Sequence, residues 1–216
     1  MHPIFRFVSV LMVSAATLPA AHSQTDPAPA VLLVVGDSLS AEYGLKRGSG
    51  WVALLTQRLS EQYPNYQVVN ASISGDTTSG GKSRLPSLLT RHQPQIVLLE
   101  LGSNDALRGL SLAMTQQNLE SMTRQIKAAG ARPLLVGMQI PPNYGRQYSE
   151  RFAQVFKEVA DKENARLAPF LLDGMATDRA QFQADGIHPN EAAQPALLDN
   201  VWPSLEPLLK DQPSAG

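Results

Sequence analysis

The sequence predicts one doubly wound α/β domain. Three observations carry that expectation. Short apolar runs recur along the chain, stretches with helical spacing separate them, and the residues fit for chemistry gather just after the runs. An unbroken apolar run suits a parallel strand covered on both faces, whereas an alternating run suits a half-exposed one. Strand–helix alternation in turn calls for a parallel sheet with crossover helices on its faces. With 216 residues, 43% hydrophobic and 17% charged, the chain can bury one core of ordinary size, and disorder is excluded as its main state.

Residues 31–35 are apolar and rich in valine and end at Gly36; they form the first expected strand. Residues 67–70 give a short second run, 96–101 a third that ends at Gly102, 133–140 a fourth that ends at Pro141 and Pro142, and 167–172 a weaker fifth. Between them, residues 51–62 place Trp51, Leu54, Leu55 and Leu59 on one helical stripe. Residues 83–91 make a shorter helix, and 112–129 a long one closed by Gly130, a residue suited to a left-handed C-terminal turn. Helices over 148–164 and 191–209 complete the set. In the last, Pro195 suits a first turn, whereas Pro203 and Pro207 interrupt the end.

Ahead of the first strand, the chain reads as an export signal. His2 and Arg6 make a weakly basic start, and residues 7–18 are apolar but short for a bilayer span. Ala21-His22-Ser23 sets small residues at the two positions a signal peptidase inspects, which predicts cleavage before Gln24. Residues 1–23 are thus a signal peptide, 24–30, with Pro27 and Pro29, a short tether, and 31–216 the domain. In a bacterium this means the periplasm or the medium, with no stable membrane insertion after cleavage. A buried N-terminal helix or a retained membrane anchor is the alternative.

Composition narrows the function. A formal net charge of −1 offers no broad basic field for a phosphate backbone, so nucleic acid is not an expected partner. The absence of cysteine excludes disulfides, thiolate metal sites and a cysteine nucleophile. Nor is there a pair of closely spaced histidines for zinc, and no metal is expected.

In an open α/β sheet, ligands bind beyond the carboxyl ends of the strands. The polar clusters fall there: Asp37-Ser38 after the first run, Asn70 to Asp76 with Gly75 after the second, and Gly102 to Asp105 with Asn104 after the third. Asp185-Gly186-Ile187-His188 precedes the last helix. A serine hydroxyl needs a base to take its proton, and histidine titrates in the right range. The mature chain keeps two histidines. His92 sits at a helix end, where a cation is favourable; His188 follows Asp185 by three residues, close enough for the carboxylate to orient the imidazole. Each residue taken alone also has a structural reading. Ser38 suits a helix N-cap, Gly75 a turn with positive φ, and Asn104 and Asp105 a turn or cap.

Taken together, the four ordered blocks resemble the SGNH, or GDSL-type, serine hydrolases, over about residues 31–209. The similarity is greatest to the exported thioesterase–lysophospholipase–arylesterase branch, through Asn70 to Thr77, Glu100 to Asp105, Leu107 to Gly109, Pro142 to Gly145 and Asp185 to Asn190. The resemblance implies a single flavodoxin-like α/β/α sandwich with five parallel strands and no cofactor. It implies Ser38 as nucleophile, Asp185 and His188 as its partners, and an oxyanion hole from the Ser38 and Gly75 N–H groups and the Asn104 amide. The expected reaction is hydrolysis of esters and acyl-thioesters of small molecules through an acyl-enzyme, by a monomer. Leu107, Leu110, Pro141, Pro142 and Tyr144, on loops after the third and fourth strands, are candidate walls of an acyl groove; anchoring those loops on the core is the alternative. Ala106 and Glu42 depart from the branch, which often has glycine and a small residue there. A carbohydrate acetylesterase of the same family and a non-catalytic binding module are the competing functions.

Overall fold

Five strands, β1 (Ala30–Gly36), β2 (Tyr66–Asn70), β3 (Ile96–Glu100), β4 (Arg132–Val136) and β5 (Arg166–Ala168), form one all-parallel sheet in the order β2-β1-β3-β4-β5. This is the arrangement in a computed structural model, which describes residues 29–211. The expected signal peptide and residues 24–28 of the expected tether lie outside the described residues; Ala30 joins the sheet, opposite Tyr66. Helices α1 (Trp51–Gln62), α2 (Thr78–His92), α3 (Ser103–Leu107), α4 (Leu112–Ala128), α5 (Arg146–Glu163) and α6 (Gln194–Lys210) cover both faces, giving three layers. α1 packs beside α6, and α2, α4 and α5 lie side by side.

The apolar runs explain the strand order. Every residue of β3 is buried, as a central strand covered on both faces requires, while the edge strands β2 and β5 are only partly buried. Trp51, Leu55 and Leu59, on the stripe seen in the sequence, are fully buried under α1. Across the sheet, Phe152 and Phe156 of α5 meet edge to face with centroids 5.3 Å apart, a favoured geometry for aromatic pairs.

Several boundaries differ from expectation; the fifth run, expected over 167–172, is a strand only over Arg166–Ala168. Helix α2 begins at Thr78, not at 83, because Gly80 and Gly81 lower local helix propensity and hide its first turn. Tertiary contacts make that turn: Thr77 accepts the Gly80 N–H, and the Asp105 carboxylate accepts the N–H and hydroxyl of Thr78. Residues 191–193 form a 3₁₀ turn before α6, and α3 is an additional short helix. The fourth run stops as a strand at Val136, since the next residue is drawn against the β5 exit: the Gly137 N–H donates to the Ala168 carbonyl, and the Leu171 N–H to the Gly137 carbonyl.

Gly137 is there for close approach. A Cβ on it would lie 2.1 Å from the Pro169 carbonyl oxygen and 2.9 Å from its carbon. Both are backbone atoms, so the two segments would have to part. Gly137→Ala is expected to cost about 3 kcal/mol in urea denaturation, at the upper end for overpacking. A cost below about 0.5 kcal/mol, the range of neutral surface changes, would show that this junction yields freely.

Candidate active site

Parallel pairing sets Gly36, the last residue of β1, opposite Glu100, the last of β3. The segments that follow therefore leave the sheet side by side. After β1 the chain turns at once: the Ala41 N–H returns to the Asp37 carbonyl and the Leu39 N–H to the Asp37 carboxylate. Asp37 rather than Ser38 caps this turn, so the capping role open to Ser38 is not the one it takes, and its half-buried hydroxyl is left for another partner. After β3, Gly102 takes φ +125°, a region closed to other residues, and a Cβ there would come within 3.2 Å of the Phe156 ring. α3 starts directly after it and turns Asn104 towards β1: its amide nitrogen donates to the Asp37 carboxylate at 3.0 Å.

The histidine arrives from the far end of the chain. His188 Nε2 lies 2.9 Å from the Ser38 hydroxyl, and Nδ1 lies 2.7 Å from Asp185 Oδ2. The other oxygen of Asp185 accepts the N–H groups of Ile187 and His188 at 2.9 and 3.0 Å. Burial pushes the Asp185 carboxyl up, but those N–H donors and the imidazole outweigh it and hold it at about 2. The loop is itself braced. Arg179 donates to the carbonyls of Gln183 and Ala184, and the Gln183 amide donates to the carbonyls of Tyr43 and Pro189. The Tyr43 ring lies against the His188 ring, centroids 4.5 Å apart.

Gly75 follows β2 with φ +79°, and its carbonyl accepts from Arg108 at 2.9 Å. Among the described residues, the N–H groups of Ser38 and Gly75 donate to no protein acceptor. An imidazole joined to a hydroxyl on one side and a carboxylate on the other can take up the hydroxyl proton. Unspent N–H groups can receive a developing negative charge.

The structure does not bring His92 to this site. It ends α2 at the opposite edge of the sheet, where the strands begin. Asp76 and Asp105 brace loops: Asp76 pairs with Arg84 at 2.8 Å, and buried Asp105 holds Thr78 and Thr115. Glu42 also braces its loop, accepting the N–H groups of Gly48 and Gly50. Of the groove candidates, Leu107 packs on the core as an anchor, while Leu110 and Tyr144 are exposed. Pro141 is exposed and its carbonyl accepts the Ser149 hydroxyl; the side chain of Pro142 lies outside the described residues.

Sequence reasoning missed Tyr43, which carries no local signal. It named Leu110 and Tyr144 but missed Ile73, Met114 and Ile187, the rest of an apolar rim. Tyr43, Ile73, Leu110, Met114, Tyr144 and Ile187 are the exposed large hydrophobics among the described residues, and each follows the carboxyl edge of the sheet or adjoins His188. A third omission is the pair of fully buried carboxyls, Asp37 and Glu100. Glu100 was legible as the one charged residue closing the run Ile96–Glu100.

Residues 34–195 match the GDSL-like lipase/acylhydrolase family. The chain belongs to that family. It is a hydrolase acting on ester bonds. Esterase TesA of Pseudomonas aeruginosa is 56% identical over 178 residues, 82% of this chain and 89% of that protein. Thioesterase 1/protease 1/lysophospholipase L1 of Escherichia coli is 44% identical over 82% of this chain and 84% of its own length. Among solved structures, the psychrotrophic esterase EstA from Pseudoalteromonas sp., inhibited by monoethylphosphonate, superposes with a TM-score of 0.79 at 39% identity, covering 84% of this chain and 99% of that one.

Burial gives Asp37 a testable signature. Desolvation raises its carboxyl from 3.8 to about 6, against the Leu39 N–H and the Asn104 amide, which lower it. A raised folded value means that the native state binds the proton more tightly than the unfolded chain, so this group removes stability as pH rises through that interval. The melting temperature of Asp37→Asn should therefore fall less steeply than wild type between pH 4 and about 6. Parallel slopes would mean that Asp37 titrates alike in both states.

Proposed function

We propose that the enzyme hydrolyses carboxylic esters and acyl-thioesters through an acyl-enzyme on Ser38. The observation that carries this reading is the chain Asp185–His188–Ser38, with 2.7 and 2.9 Å between successive partners. His188 takes the Ser38 proton as the oxygen attacks the acyl carbon. The N–H groups of Ser38 and Gly75 and the Asn104 amide receive the charge that develops on the carbonyl oxygen. His188 then protonates the departing alcohol or thiol, and water repeats the sequence on the acyl-enzyme. Asp185 stays ionised and holds the imidazole in place. No cofactor takes part.

The substrate class follows from the rim. Leu110 and Tyr144 would line the acyl path, joined by Tyr43 and Ile187 beside His188. Burial of an acyl chain is non-directional, at roughly 0.8 kcal/mol per methylene, so it tolerates different leaving groups. The names of the two relatives, an esterase and a thioesterase–lysophospholipase, support the same breadth, with aryl esters as convenient substrates. Residues 1–23 would direct export to the periplasm or the medium before removal, leaving 24–30 ahead of the domain. Among the described residues no helix is long and apolar enough to cross a membrane.

A fluorophosphonate probe tests the nucleophile. Ser38→Ala should abolish labelling and lower kcat by something like ~10⁶, the scale seen for serine triads. His188→Ala should approach that severity, while His92→Ala stays active. Labelling that survives in Ser38→Ala, or a folded His92→Ala as damaged as His188→Ala, would sink the assignment.

Chain length tests the groove. For both thioesters and aryl esters, kcat/KM should climb about threefold to fourfold per added methylene until the path is full. Activity confined to acetyl groups on sugars would move the enzyme to the carbohydrate acetylesterases.

A further inference from the structure

We propose that Glu100 is a positioning residue for the nucleophile turn and acts as a neutral carboxyl group, leaving Asp37 as the only negative charge beneath the site. The proposal rests on Ser38 as nucleophile. Glu100 Oε2 accepts the Asp37 N–H at 3.2 Å and the Ser40 hydroxyl at 2.7 Å. It thus grips the chain on both sides of Ser38, whose N–H and hydroxyl must keep fixed directions. Gly36 makes room for it, since a Cβ there would lie 2.7 Å from Oε2.

The protonation state follows from the company this group keeps. Glu100 and Asp37 are both fully buried, and neither forms an ion pair with a cation among the described residues. Two adjoining carboxylates without a counter-charge cannot both stay ionised out of water. Their hydrogen bonds decide which one keeps the charge. Both Asp37 oxygens accept a donor, from the Leu39 N–H and the Asn104 amide. Glu100 Oε1 is buried with no partner at all, a poor place for a charge and a cheaper one for a neutral oxygen. Desolvation and the Asp37 charge both drive the Glu100 carboxyl well above its usual range, which agrees. The remaining ionisable neighbours act on Asp37: His188 favours its charge and Asp76 opposes it. Arg84 is paired with Asp76 and donates to the Ala71 and Gly36 carbonyls, not to either buried carboxyl. A single charge on Asp37 then holds the Asn104 amide in the direction the oxyanion needs.

The test combines infrared difference spectroscopy with kinetics. Wild type at pH 7 should show the carbonyl stretch of a buried protonated carboxyl, and Glu100→Gln should lose it. Glu100→Ala leaves the Asp37 N–H and the Ser40 hydroxyl unpaired, and should lower kcat by about tenfold or more with KM little changed. Glu100→Gln, neutral and of the same shape, should restore most of that loss. Ser40→Ala tests the same grip if Glu100→Ala does not fold, with the same split between kcat and KM expected. The proposal is overturned by an absent band, by a band that persists in Glu100→Gln, by a Glu100→Gln enzyme that fails to fold or is as slow as Glu100→Ala, or by wild-type kcat in Glu100→Ala. Fluorophosphonate labelling at Ser38 in wild type keeps the two readings apart. A labelled enzyme without the band loses only the role of Glu100, whereas one unlabelled at Ser38 loses the catalytic assignment on which it rests.

Discussion

The register of β1 against β3 is the constraint on which the site depends. Because the strands are parallel and Gly36 stands opposite Glu100, their exits emerge together at one edge. An antiparallel pair would have sent the two exits to opposite edges. With the exits adjacent, the Asn104 amide reaches the Asp37 carboxylate and Glu100 reaches back to Asp37 and Ser40. Parallel pairing also requires crossovers, and the helices that supply them cover both faces of β3. The burial of that strand and the placement of the site thus have one cause.

The histidine loop obeys a different logic. It lies on no strand, so the sheet cannot position it; hydrogen bonds must. Arg179 gathers carbonyls on its inner side, Gln183 ties it to Tyr43 in the nucleophile turn, and the Gln194 amide holds the Pro189 and Asn190 carbonyls from the start of α6. Gln194 in turn accepts the Trp51 N–H at the start of α1. The imidazole is therefore fixed relative to the first and last helices as well as to Ser38. If His188 is the base, as proposed, this bracing suits a reaction in which a small displacement costs much of the rate.

The site combines two opposite environments. Below the turn that carries Ser38 sit two buried carboxyls, which cost stability; above it lies a rim of exposed apolar side chains, which costs solvation. Both costs fall at the one edge where chemistry is expected, and the remainder of the described surface exposes no large hydrophobic side chain. Such local departures from good packing are usual at functional sites. Here they fall where the proposed acyl-enzyme reaction would need them: polar groups near the carbonyl and apolar surface for what the carbonyl carries.

The sequence by itself determined the fold class, the order of strands and helices, and the four blocks that hold Ser38, Gly75, Asn104 and His188. Those features are local. A continuous apolar run, a helical stripe or an Asp-x-x-His spacing acts within a few residues, where propensity and hydrophobic period dominate. Tertiary structure alone decided the start of α2, which Thr77 and Asp105 create against weak glycine propensity. It also decided that Glu42 braces a loop, that Leu107 anchors on the core while Leu110 and Tyr144 face outward, and that Asp37 and Glu100 share one pocket. Each of these depends on residues far apart in the chain, and their energies arise only when the sheet has brought them together and water has been removed from between them.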